Sequence, residues 1–423
     1  MNATSKFISS SFLCSSTNLQ MESKGNGATN PHQSEDSNQP LILPDLPFEV
    51  ITEILLRLPV KSLLKFKCVS KSWLSLISSS QFIKDHLCAF SSSEDGEQLQ
   101  LLTVGIDLTD CYLKDCSLAS LLHERQPANA AEVEIDCPPS LQLSRYFNVV
   151  GCCDGLFCID CMRTGVFLWN PSTRKSKKLP SFSSPTVDLL KEEDYYQVCG
   201  FGYDKDRDDY KVVKVVCSLD EDYRPSGSEV IVYSVKTESW KSIGEFQGGF
   251  PSVGGCGCLV NGRLHWELHN AGWDFKVVFL DLATETFGSL DLALKTNGGT
   301  GISGRNGFRS DLGTFGGSLC FVCKNYRDHF VELWVMKEYG VGESWTKVLS
   351  VPVDKTRLVF RALCIPGSDR FLVELKDELR LYDPKDDSFR LLPWSGNHTV
   401  PRIFVQSLVS PNPNAAAEMH QQH

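Results

Sequence analysis

Two pairs of cysteines are the residues best suited to metal chemistry, because only two residues separate the members of each pair. The pairs stand in Cys158-Ile-Asp-Cys161 and Cys320-Phe-Val-Cys323. Four thiolates at this spacing can hold a zinc ion when a tight turn brings the members of each pair together. The residues between the cysteines belong to strand-like apolar runs, and side chains three positions apart on a strand point to opposite faces. We therefore expect no metal site here.

A second candidate is Gly299-Thr-Gly301-Ile-Ser-Gly304, which has the glycine spacing of a loop that binds dinucleotide phosphates. Such a loop needs a following helix, whose N-terminal N–H groups hold the phosphates. Here Arg-Asn-Gly-Phe-Arg and a short strand follow instead. The motif is interpreted as a surface loop, and no cofactor is expected.

The remaining candidates for catalysis are histidines. His265, beside Trp266, is the one of nine that lies in an apolar strand. A buried, hydrogen-bonded imidazole is the expected role there, rather than a general base. The motifs of serine hydrolases and zinc proteases are missing, and nothing distinguishes one of the 17 cysteines as a nucleophile. The sequence therefore does not indicate an enzyme.

Composition and charge exclude several classes of protein. The 423 residues include 42 Lys and Arg against 52 Asp and Glu, a formal net charge of −10. This charge argues against a nucleic-acid-binding surface, so no nucleic-acid partner is expected. No apolar stretch approaches the roughly 18 residues of a membrane-spanning helix, so no membrane partner is expected either. The length predicts two or three domains, or one large β domain with additions.

The 17 cysteines do not suit a disulfide framework. Their number is odd, and the chain is far longer than the small secreted domains that disulfides stabilise. Several of them, such as Cys199 and Cys217, lie in apolar runs, where cysteine packs as a small hydrophobe. A reducing location, cytoplasmic and/or nuclear, is therefore expected.

The chain changes character along its length. Residues 1–40 are rich in Ser, Asn, Gln and Thr, so a disordered leader is expected there, and a disordered tail is expected at 411–423. Between about 43 and 88, apolar residues recur at helical spacing and predict four short helices. From about residue 95 to 410, short β-type runs alternate with Gly, Asp, Asn and Pro and predict a domain built of strands.

The helical segment has more apolar side chains than so small a unit can bury. The surplus must be covered by the β domain or by another protein, and exposed apolar faces of this size mark interaction sites. The segment is also locally basic, with six basic against four acidic residues between 41 and 90. Lys61, Lys65, Lys67 and Lys71 could steer an acidic partner or simply form a solvated helix face.

The β region contains a degenerate repeat. Each copy has an apolar strand, a turn rich in Asp, Asn, Thr or Ser, and usually an aromatic residue seven positions further on. The copies recur at intervals of 64, 47, 54 and 48 residues, at Trp169, Tyr233, Leu280, Trp334 and Tyr382. A four-stranded repeat of this length is typical of β-propeller blades. With a weaker copy at Tyr112–Leu121, about six blades are predicted, and a β-sandwich with similar hairpins is the alternative.

Residues 43–88 resemble an F-box in its plant form. The matching pieces are Leu46-Pro47, Ile54-Leu55-Leu56-Arg57-Leu58-Pro59, Ser62-Leu63 and Cys68-Val69-Ser70-Lys71-Ser72-Trp73. The resemblance implies that these helices bind a Skp-like adaptor and, through it, a cullin–RING ubiquitin ligase. The positions that match residues packing within an F-box or against the adaptor are Pro47, Ile51, Leu55, Leu58, Pro59, Leu63, Val69 and Trp73. The resemblance leaves open which of them touch the adaptor.

Residues 95–410 resemble the F-box-associated, kelch-like domain of large plant F-box families. The matching pieces include Asp154-Gly155-Leu156, Leu168-Trp169-Asn170-Pro171-Ser172-Thr173-Arg174 and Phe201-Gly202-Tyr203-Asp204. The double-Gly/Tyr/Trp pattern of true kelch repeats is missing from most copies. The resemblance implies a β-propeller that binds a target protein.

The two resemblances together imply a mainly β protein, in which a small all-α F-box is followed by a kelch-like β-propeller. The expected function is that of the substrate-recognition subunit of an SCF-type ubiquitin ligase, which brings a target close to the ubiquitin-conjugating enzyme and performs no bond chemistry itself. The loops expected to contact the unknown target are Ser181–Asp194, Leu219–Ser228 and Thr296–Arg309. The alternatives are a propeller-fold enzyme and an F-box scaffold acting outside a ligase.

Overall fold

The computed structural model describes residues 46–91, 99–106, 111–123, 133–135, 147–161, 164–182, 194–253, 255–269, 275–292, 295–296, 299–300, 308–325, 330–352, 360–365, 368–375, 378–392 and 401–412. The chain divides into two units, Met1–Pro47 and Phe48–His423, and every helix and strand below belongs to the second. The predicted leader at 1–40 and most of the predicted tail at 411–423 lie outside the described residues. Within the described part, no helix is long and apolar enough to cross a membrane.

Four short helices come first, as the apolar spacing predicts. They are α1 (Phe48–Leu56), α2 (Val60–Phe66), α3 (Lys71–Ser78) and α4 (Ser80–Ser91). A fifth helix, α5 (Leu118–His123), lies within the β region. Pro59 separates α1 from α2 because proline has no backbone N–H to continue the helix.

The rest of the described chain is mainly β. The first strands are β1 (Leu99–Ile106), β2 (Cys111–Ser117), β3 (Val133–Ile135), β4 (Phe147–Cys153), β5 (Leu156–Cys161), β6 (Gly165–Asn170), β7 (Lys175–Lys178), β8 (Tyr195–Asp204) and β9 (Asp209–Leu219). Next come β10 (Pro225–Ser234), β11 (Ser239–Gly244), β12 (Cys256–Val260), β13 (Arg263–His269), β14 (Phe275–Asp281), β15 (Phe287–Leu290), β16 (Lys295–Thr296) and β17 (Gly299–Thr300). The last are β18 (Phe308–Phe315), β19 (Ser318–Asn325), β20 (Phe330–Met336), β21 (Trp345–Pro352), β22 (Phe360–Cys364), β23 (Phe371–Leu375), β24 (Glu378–Asp383), β25 (Ser388–Leu391) and β26 (Arg402–Val405).

These strands form the radial sheets of a β-propeller. Four sheets have four strands each, in the orders β26-β1-β2-β3, β4-β5-β6-β7, β18-β19-β20-β21 and β22-β23-β24-β25. A fifth has eight strands, because the antiparallel meanders β8–β11 and β12–β15 meet where Cys199 and Gly200 pair in parallel with Cys256 and Gly257. The short hairpin β16–β17 stands apart from these sheets. The sandwich alternative is therefore wrong.

Neighbouring sheets pack face to face, and β6 shows how its sequence permits this. Val166 and Leu168 point into a cluster shared with β8, β9 and β10, whereas Phe167 and Trp169 point into a cluster shared with β1, β2 and β26. A strand buried on both faces needs a continuous apolar run rather than an alternating one. The motif Gly165–Asn170 is such a run.

The two ends of the β region meet in one sheet. Strand β26 pairs antiparallel with β1, with Leu99 opposite Val405 and Leu102 opposite Arg402. On the other face of this sheet, side chains of β1, β2 and α5 pack against β23 and β24. The C-terminal strand therefore closes the ring that the N-terminal strands begin. The weak repeat predicted at Tyr112–Leu121 covers β2 and the start of α5.

The repeat seen in the sequence is a hairpin between the third and fourth strands of a sheet. Its two marked residues face each other across the hairpin, as Tyr233 faces Trp240 and Leu280 faces Phe287. The Asp or Asn that ends the third strand, or the first strand in one case, caps the turn, as predicted. Its Oδ1 accepts a hydrogen bond of 2.9–3.1 Å from the backbone N–H two residues later, in Asn170, Asp204, Asp281 and Asp383. The residue four positions after each cap has a positive φ of 51–57°.

Candidate protein-binding surface

Helices α1 to α4 form a small unit with its own core. Leu55, Val60, Leu63, Ile77 and Phe82 are buried in it. The unit is held by local backbone features as well, since Ser70 caps α3 by accepting a 3.1 Å hydrogen bond from the N–H of Trp73. The helices therefore have a defined inner side, and the apolar residues that point away from it can be identified.

The residues predicted from the F-box resemblance fall into three groups by burial. Leu55 and Leu63 fill the inner core, whereas Ile51, Leu58 and Trp73 are half-buried at its edge. Pro59 and Val69 are exposed, and Pro47 precedes α1 at the end of the N-terminal unit. The full predicted set was Pro47, Ile51, Leu55, Leu58, Pro59, Leu63, Val69 and Trp73.

Leu58 has a second role through its backbone. The ring of His86, which is buried in α4, donates from Nε2 to the Leu58 carbonyl over 2.9 Å. Burial lowers the pKa of His86 below its ordinary value, so the ring stays neutral while it holds this contact. The bond ties the end of α1 to α4 and satisfies a carbonyl at a helix terminus.

Four large apolar side chains of the helical unit are exposed. Phe48, Val50, Ile54 and Val69 have 37% to 57% of their surface accessible. Val50 and Ile54 are four residues apart and therefore lie on one side of α1. Helix α1 is apolar on two sides, because Ile51 and Leu55 face the core while Val50 and Ile54 do not. The predicted site lacked Phe48, Val50 and Ile54. Val50 and Ile54 lie outside the Ile51-Leu55-Leu58 stripe, which was the signal that could have found them, whereas Phe48 lies on the side of the stripe at the start of α1. We call these four residues the exposed apolar set.

The basic side chains of the segment also differ in position. Lys61, Lys65 and Lys71 are exposed, as a solvated face predicts, but Lys67 is half-buried. Burial and the charge of Lys175 lower the pKa of Lys67. Lys175 begins β7, so Lys67 faces the ring and is poorly placed to steer a partner.

The chain segment after β26 joins the helical unit to the ring. Leu408 is buried in the core of the helices, and Val409 is buried against β6, β8 and β9. The buried side-chain amide of Asn170, at the end of β6, holds this segment against the ring. Its two Nδ2 hydrogens are donated to the Val409 carbonyl over 2.7 Å and, shared between two acceptors, to the Ser407 carbonyl over 3.1 Å and the Ser407 hydroxyl over 3.2 Å. We call residues 406–412 the C-terminal strap.

Glycine at position 155 makes room for this strap. Gly155 has φ +74°, and a Cβ placed there would lie 2.5 Å from the Val405 carbonyl oxygen and 2.7 Å from the Ser407 hydroxyl. A side chain at this position would therefore collide with the strap and would also be strained by the left-handed backbone. The Asp154-Gly155 turn, quoted above for its resemblance, thus has a packing role.

The helices also touch a turn of the next sheet. The ammonium group of Lys84 on α4 lies 2.5 Å from Asp208, in the turn between β8 and β9, and Asp208 accepts a further hydrogen bond from the hydroxyl of Tyr203. These contacts define the end of the ring that carries the turns β4–β5, β6–β7, β8–β9 and β10–β11. We call it the F-box end. Because successive turns of a meander alternate between its ends, the β9–β10 turn and the connections β7–β8 and β15–β18 leave from the opposite, or far, end.

One half-buried carboxyl of the ring is influenced by the charge of Lys61 on α2. Asp115 on β2 has one oxygen, Oδ1, that is buried and accepts no hydrogen bond among the described residues. Burial raises its pKa from 3.8 to about 6, although Lys61 of α2 and Arg174 of the β6–β7 turn act in the opposite direction. A charged carboxylate at this place is therefore unfavourable.

We expect Asp115→Asn to change how stability depends on pH. Above about pH 6 the carboxyl is charged in both states, and the folded state bears the full penalty of burying the charge. As the pH falls from about 6 toward 4, the folded state takes up a proton that the unfolded state does not, so this group's destabilising effect fades. The gain in unfolding free energy from Asp115→Asn should therefore be largest at neutral pH, at about 2 kcal/mol or less, and shrink on acidification.

Denaturant unfolding of both chains at about pH 5, 6 and 7 measures this difference. Asp369→Asn is the matched control, because it makes the same substitution at a carboxyl whose side chain is 78% exposed. A constant difference between Asp115→Asn and the parent chain across this range would show that the carboxyl does not titrate as expected.

The cysteines considered above for zinc binding and for nucleophilic catalysis are poorly placed for either role. Cys158 and Cys161 point into different inter-sheet clusters, and Cys320 and Cys323 likewise separate, as the strand argument predicts. Burial raises the pKa of Cys258 to about 12 and that of Cys217 to about 11, which makes these thiols poor nucleophiles. Across the described ranges, no group of three or more His, Cys, Asp or Glu side chains is arranged to hold a metal ion. Of the glycine motif, Gly299 and Thr300 form β17 and the rest lies outside the described residues.

His265 is the buried, hydrogen-bonded histidine that the sequence predicts. Its Nδ1 lies 3.0 Å from the Cys258 carbonyl and its Nε2 lies 2.8 Å from the hydroxyl of Tyr339. Burial lowers its pKa to about 4, so the ring is neutral and both nitrogens are engaged. Its role is to connect β13 with its neighbours.

Comparisons with known proteins agree with this organisation. The family model for the F-box domain matches residues 43–85, and that for the F-box associated beta propeller domain matches residues 106–389. Among curated relatives from Arabidopsis thaliana, the F-box/kelch-repeat protein At3g23880 is 32% identical over 87% of this chain and 96% of its own length. The F-box protein At4g22390 is 31% identical over 80% and 82% of the two chains, and the F-box protein CPR1 is 30% identical over 74% of each.

Solved structures show only remote similarity. A structure titled "Structure of Dos1 propeller" is 12% identical, covers 68% of each chain and has a TM-score of 0.36, which is too low to support an argument. The family models and the curated relatives are decisive, because the propeller model alone covers most of the chain. The chain belongs to the family of plant-type F-box proteins that carry an F-box-associated β-propeller domain.

Proposed function

We propose that the protein is the substrate-recognition subunit of an SCF-type cullin–RING ubiquitin ligase. In this proposal the F-box helices bind a Skp-like adaptor, and the β-propeller binds a target protein for ubiquitination. The observation that carries it is the exposed apolar set of Phe48, Val50, Ile54 and Val69, which neither the helical core nor the ring covers. Exposed apolar residues gathered on so small a unit are typical of a protein-binding surface.

The burial of each predicted residue supports a separation between residues that stabilise the helices and residues that contact the adaptor. Leu55 and Leu63 hold the helices together, and Ile51, Leu58 and Trp73 support the surface from its edge. The adaptor contacts would then be Pro47, Pro59 and Val69 from the predicted set, joined by Phe48, Val50 and Ile54. The exposed charges of Lys61, Lys65 and Lys71 favour an acidic partner surface.

The two ends of the ring support separate sites for adaptor and target. The helices lie at the F-box end, whereas Leu219–Ser228 lies at the far end. Ser181–Asp194 and Thr296–Arg309 lie mostly outside the described residues, but the strands that flank them also end at the far end. Loops on a rigid scaffold are common recognition elements, so we propose that the target binds there. The mechanism is proximity, because a bound target lysine has a high effective concentration near the charged conjugating enzyme.

We propose three further details. The ring has six blades, supported by the four four-stranded sheets together with the two meanders of the eight-stranded sheet. The blades are kelch-like in the coarse sense of four-stranded units with a shared hairpin turn. The protein acts in the cytoplasm and/or nucleus and uses no cofactor, and free buried thiols such as those of Cys199 and Cys217 suit a reducing location.

Cys68 offers a direct test of adaptor binding, because its free thiol is exposed beside Val69. With the full chain folded, we expect iodoacetamide to modify Cys68 readily and excess Skp-like adaptor to slow this at least about tenfold, since the adaptor would cover it. Mass spectrometry after timed alkylation measures both rates. Cys88 on α4 is exposed and lies outside the proposed contact set, so it is the internal control. Equal rates for Cys68 with and without adaptor would refute the proposal.

Addition of the cullin–RING subunits to the same mixture separates ligase from scaffold. A ligase subunit is expected to migrate with adaptor and cullin as one assembly on size exclusion. A scaffold outside a ligase would retain the adaptor and leave the cullin unbound. The propeller-fold enzyme gains no support from a specific observation.

A further inference from the structure

One hairpin of the far end differs from the others in length. Strands β9 and β10 have 11 and 10 residues, and only β8 is as long among the described strands. Their pairing runs from Ser234 opposite Lys211 to Pro225 opposite Leu219. The tip, Asp220–Arg224, therefore stands where the longest described hairpin of the far end turns back. We call it the β9–β10 tip.

The β9–β10 tip is tightly held. The Oδ1 atom of Asp220 accepts hydrogen bonds from the N–H groups of Asp222 over 2.9 Å and Arg224 over 2.8 Å. The Asp220 carbonyl accepts from the Tyr223 N–H over 2.9 Å, and the Asp220 N–H donates to the Arg224 carbonyl over 2.8 Å. A turn with this many bonds loses little further entropy when a partner binds it.

This rigid turn presents an aromatic side chain to solvent. Tyr223 has 75% of its surface exposed and a backbone φ of +58°. The other non-glycine residues with positive φ in the described chain are polar or charged and lie in turns at the F-box end. They are Asp154, Arg174, Asp208, Glu238, Asn261, Glu285 and Asp387. Tyr223 is thus the exception among them in residue type and in location.

A second exposed apolar residue lies at the same end. Val253, in the connection between β11 and β12, is 76% exposed. This connection is anchored near the tip end of the hairpin, since the hydroxyl of Tyr196 donates to the Pro251 carbonyl over 2.9 Å and Tyr196 pairs with Cys217 of β9. Tyrosine side chains that are rigid and exposed are frequent anchors of protein interfaces.

The charge around the tip is negative. The tip contains Asp220, Glu221 and Asp222 against Arg224, which lies 4.0 Å from the Asp222 carboxylate and is offset by it. Glu245, which follows β11 at the far end, is also exposed. A partner of opposite charge would be steered to this surface and a negative one repelled.

We infer that the β9–β10 tip is the anchor for the target protein, and that the target presents a segment rich in Lys and Arg around an apolar pocket for Tyr223. This inference rests on the proposed function, since it assigns the partner's chemistry at the end that the target is proposed to bind. In the complex, the target would bury the Tyr223 ring. Glu221 and Asp222 would supply charges opposite to those of the target segment.

Random peptides displayed on phage are the probe that tests whether the β9–β10 tip binds basic segments. The library is selected on the immobilised full chain, with the Skp-like adaptor in excess to cover the F-box helices. We expect the selected peptides to be rich in Lys and Arg and to bind more weakly as salt is raised. Their Kd should rise at least about tenfold for Tyr223→Ala and for Glu221→Lys, and change little for Tyr223→Phe, which keeps the ring.

Val341→Ala is the matched control, because Val341 is an exposed apolar residue in the β20–β21 turn at the F-box end. Selected peptides without excess positive charge, no selected peptides, or equal binding to Tyr223→Ala and Val341→Ala would each overturn the inference. Thermal unfolding of each variant verifies the fold, and Tyr223→Gly, which relieves the positive φ, replaces Tyr223→Ala if the latter unfolds. Adaptor binding is measured separately on the same proteins. Its loss would count against the proposed function, whereas failure of the peptides with adaptor binding intact would count against the tip alone.

Discussion

Replacement of Leu408 by alanine is expected to destabilise the F-box helices, although Leu408 lies more than 300 positions away from them in the chain. Its side chain is buried among Leu55, Leu63, Ile77 and Phe82. Leu→Ala in a packed core lowers the free energy of unfolding by about 2 to 5 kcal/mol, because apolar contacts are lost and a cavity remains. A unit of four short helices is only marginally stable, so its destabilisation should also weaken adaptor binding.

Hydrogen exchange of α1 to α4 and denaturant unfolding of the full chain measure this effect. Leu391→Ala is the matched control, because Leu391 on β25 is 59% exposed and its truncation should change stability by less than about 0.5 kcal/mol. If Leu408→Ala behaves like Leu391→Ala, then Leu408 does not complete the helical core.

Asn170→Ala probes the same link from the side of the ring. It removes the donor to the Ser407 and Val409 carbonyls, and each buried acceptor left without a partner costs about 1 to 3 kcal/mol. Because both substitutions release the C-terminal strap, the double variant with Leu408→Ala should lose less than the sum of the two single losses.

The second large effect is expected at the exposed apolar set. Ile54→Glu and Val69→Glu should each raise the Kd for a Skp-like adaptor at least about 100-fold, because each would place an unpaired charge in an apolar contact. Neither side chain is in the helical core, so the free energy of unfolding should change by less than about 1 kcal/mol. Glutamate is a good helix former, which keeps α1 intact in the first variant.

Two controls make this result specific. Leu63→Ala also weakens adaptor binding, but through unfolding of the helices, since Leu63 is fully buried. Val341→Glu adds the same charge at an exposed apolar residue that belongs to the ring and not to the helices, and it should leave binding unchanged. An Ile54→Glu or Val69→Glu protein that binds the adaptor as tightly as the parent chain would show that the exposed apolar set is not the contact.

Local patterns in the sequence predict much of this architecture. The seven-residue spacing between Tyr233 and Trp240 places them opposite each other across a hairpin, and the caps such as Asp281 follow from turn chemistry. The same reasoning separates Cys158 from Cys161, because strand periodicity decides which face each one occupies.

Long-range partnerships could not be predicted in this way. Asn170 looks like any other turn cap in the sequence, and its Oδ1 behaves as one, but its Nδ2 bonds to residues 237 and 239 positions away. Leu408 likewise follows a strand, and no local sequence pattern indicates that it packs among helices. Such contacts depend on how the ring closes, which cannot be predicted from a single sequence.

The burial of the predicted site residues could not be predicted from the sequence. The F-box resemblance identified the segment, yet it grouped core residues such as Leu63 with exposed ones such as Val69. Only the packing of the helices separates these classes, and it adds Val50 and Ile54, which a stripe drawn through Ile51 and Leu55 leaves out.

The most direct measurement is a calorimetric titration of the full chain with a purified Skp-like adaptor, for the parent and for Val69→Glu. We predict one-to-one binding by the parent chain with a Kd of about 1 μM or tighter, and a Kd at least about 100-fold weaker for a Val69→Glu protein that unfolds at the parent's denaturant midpoint. A parent chain that gives no binding, or a Val69→Glu chain that binds as the parent does, would contradict it.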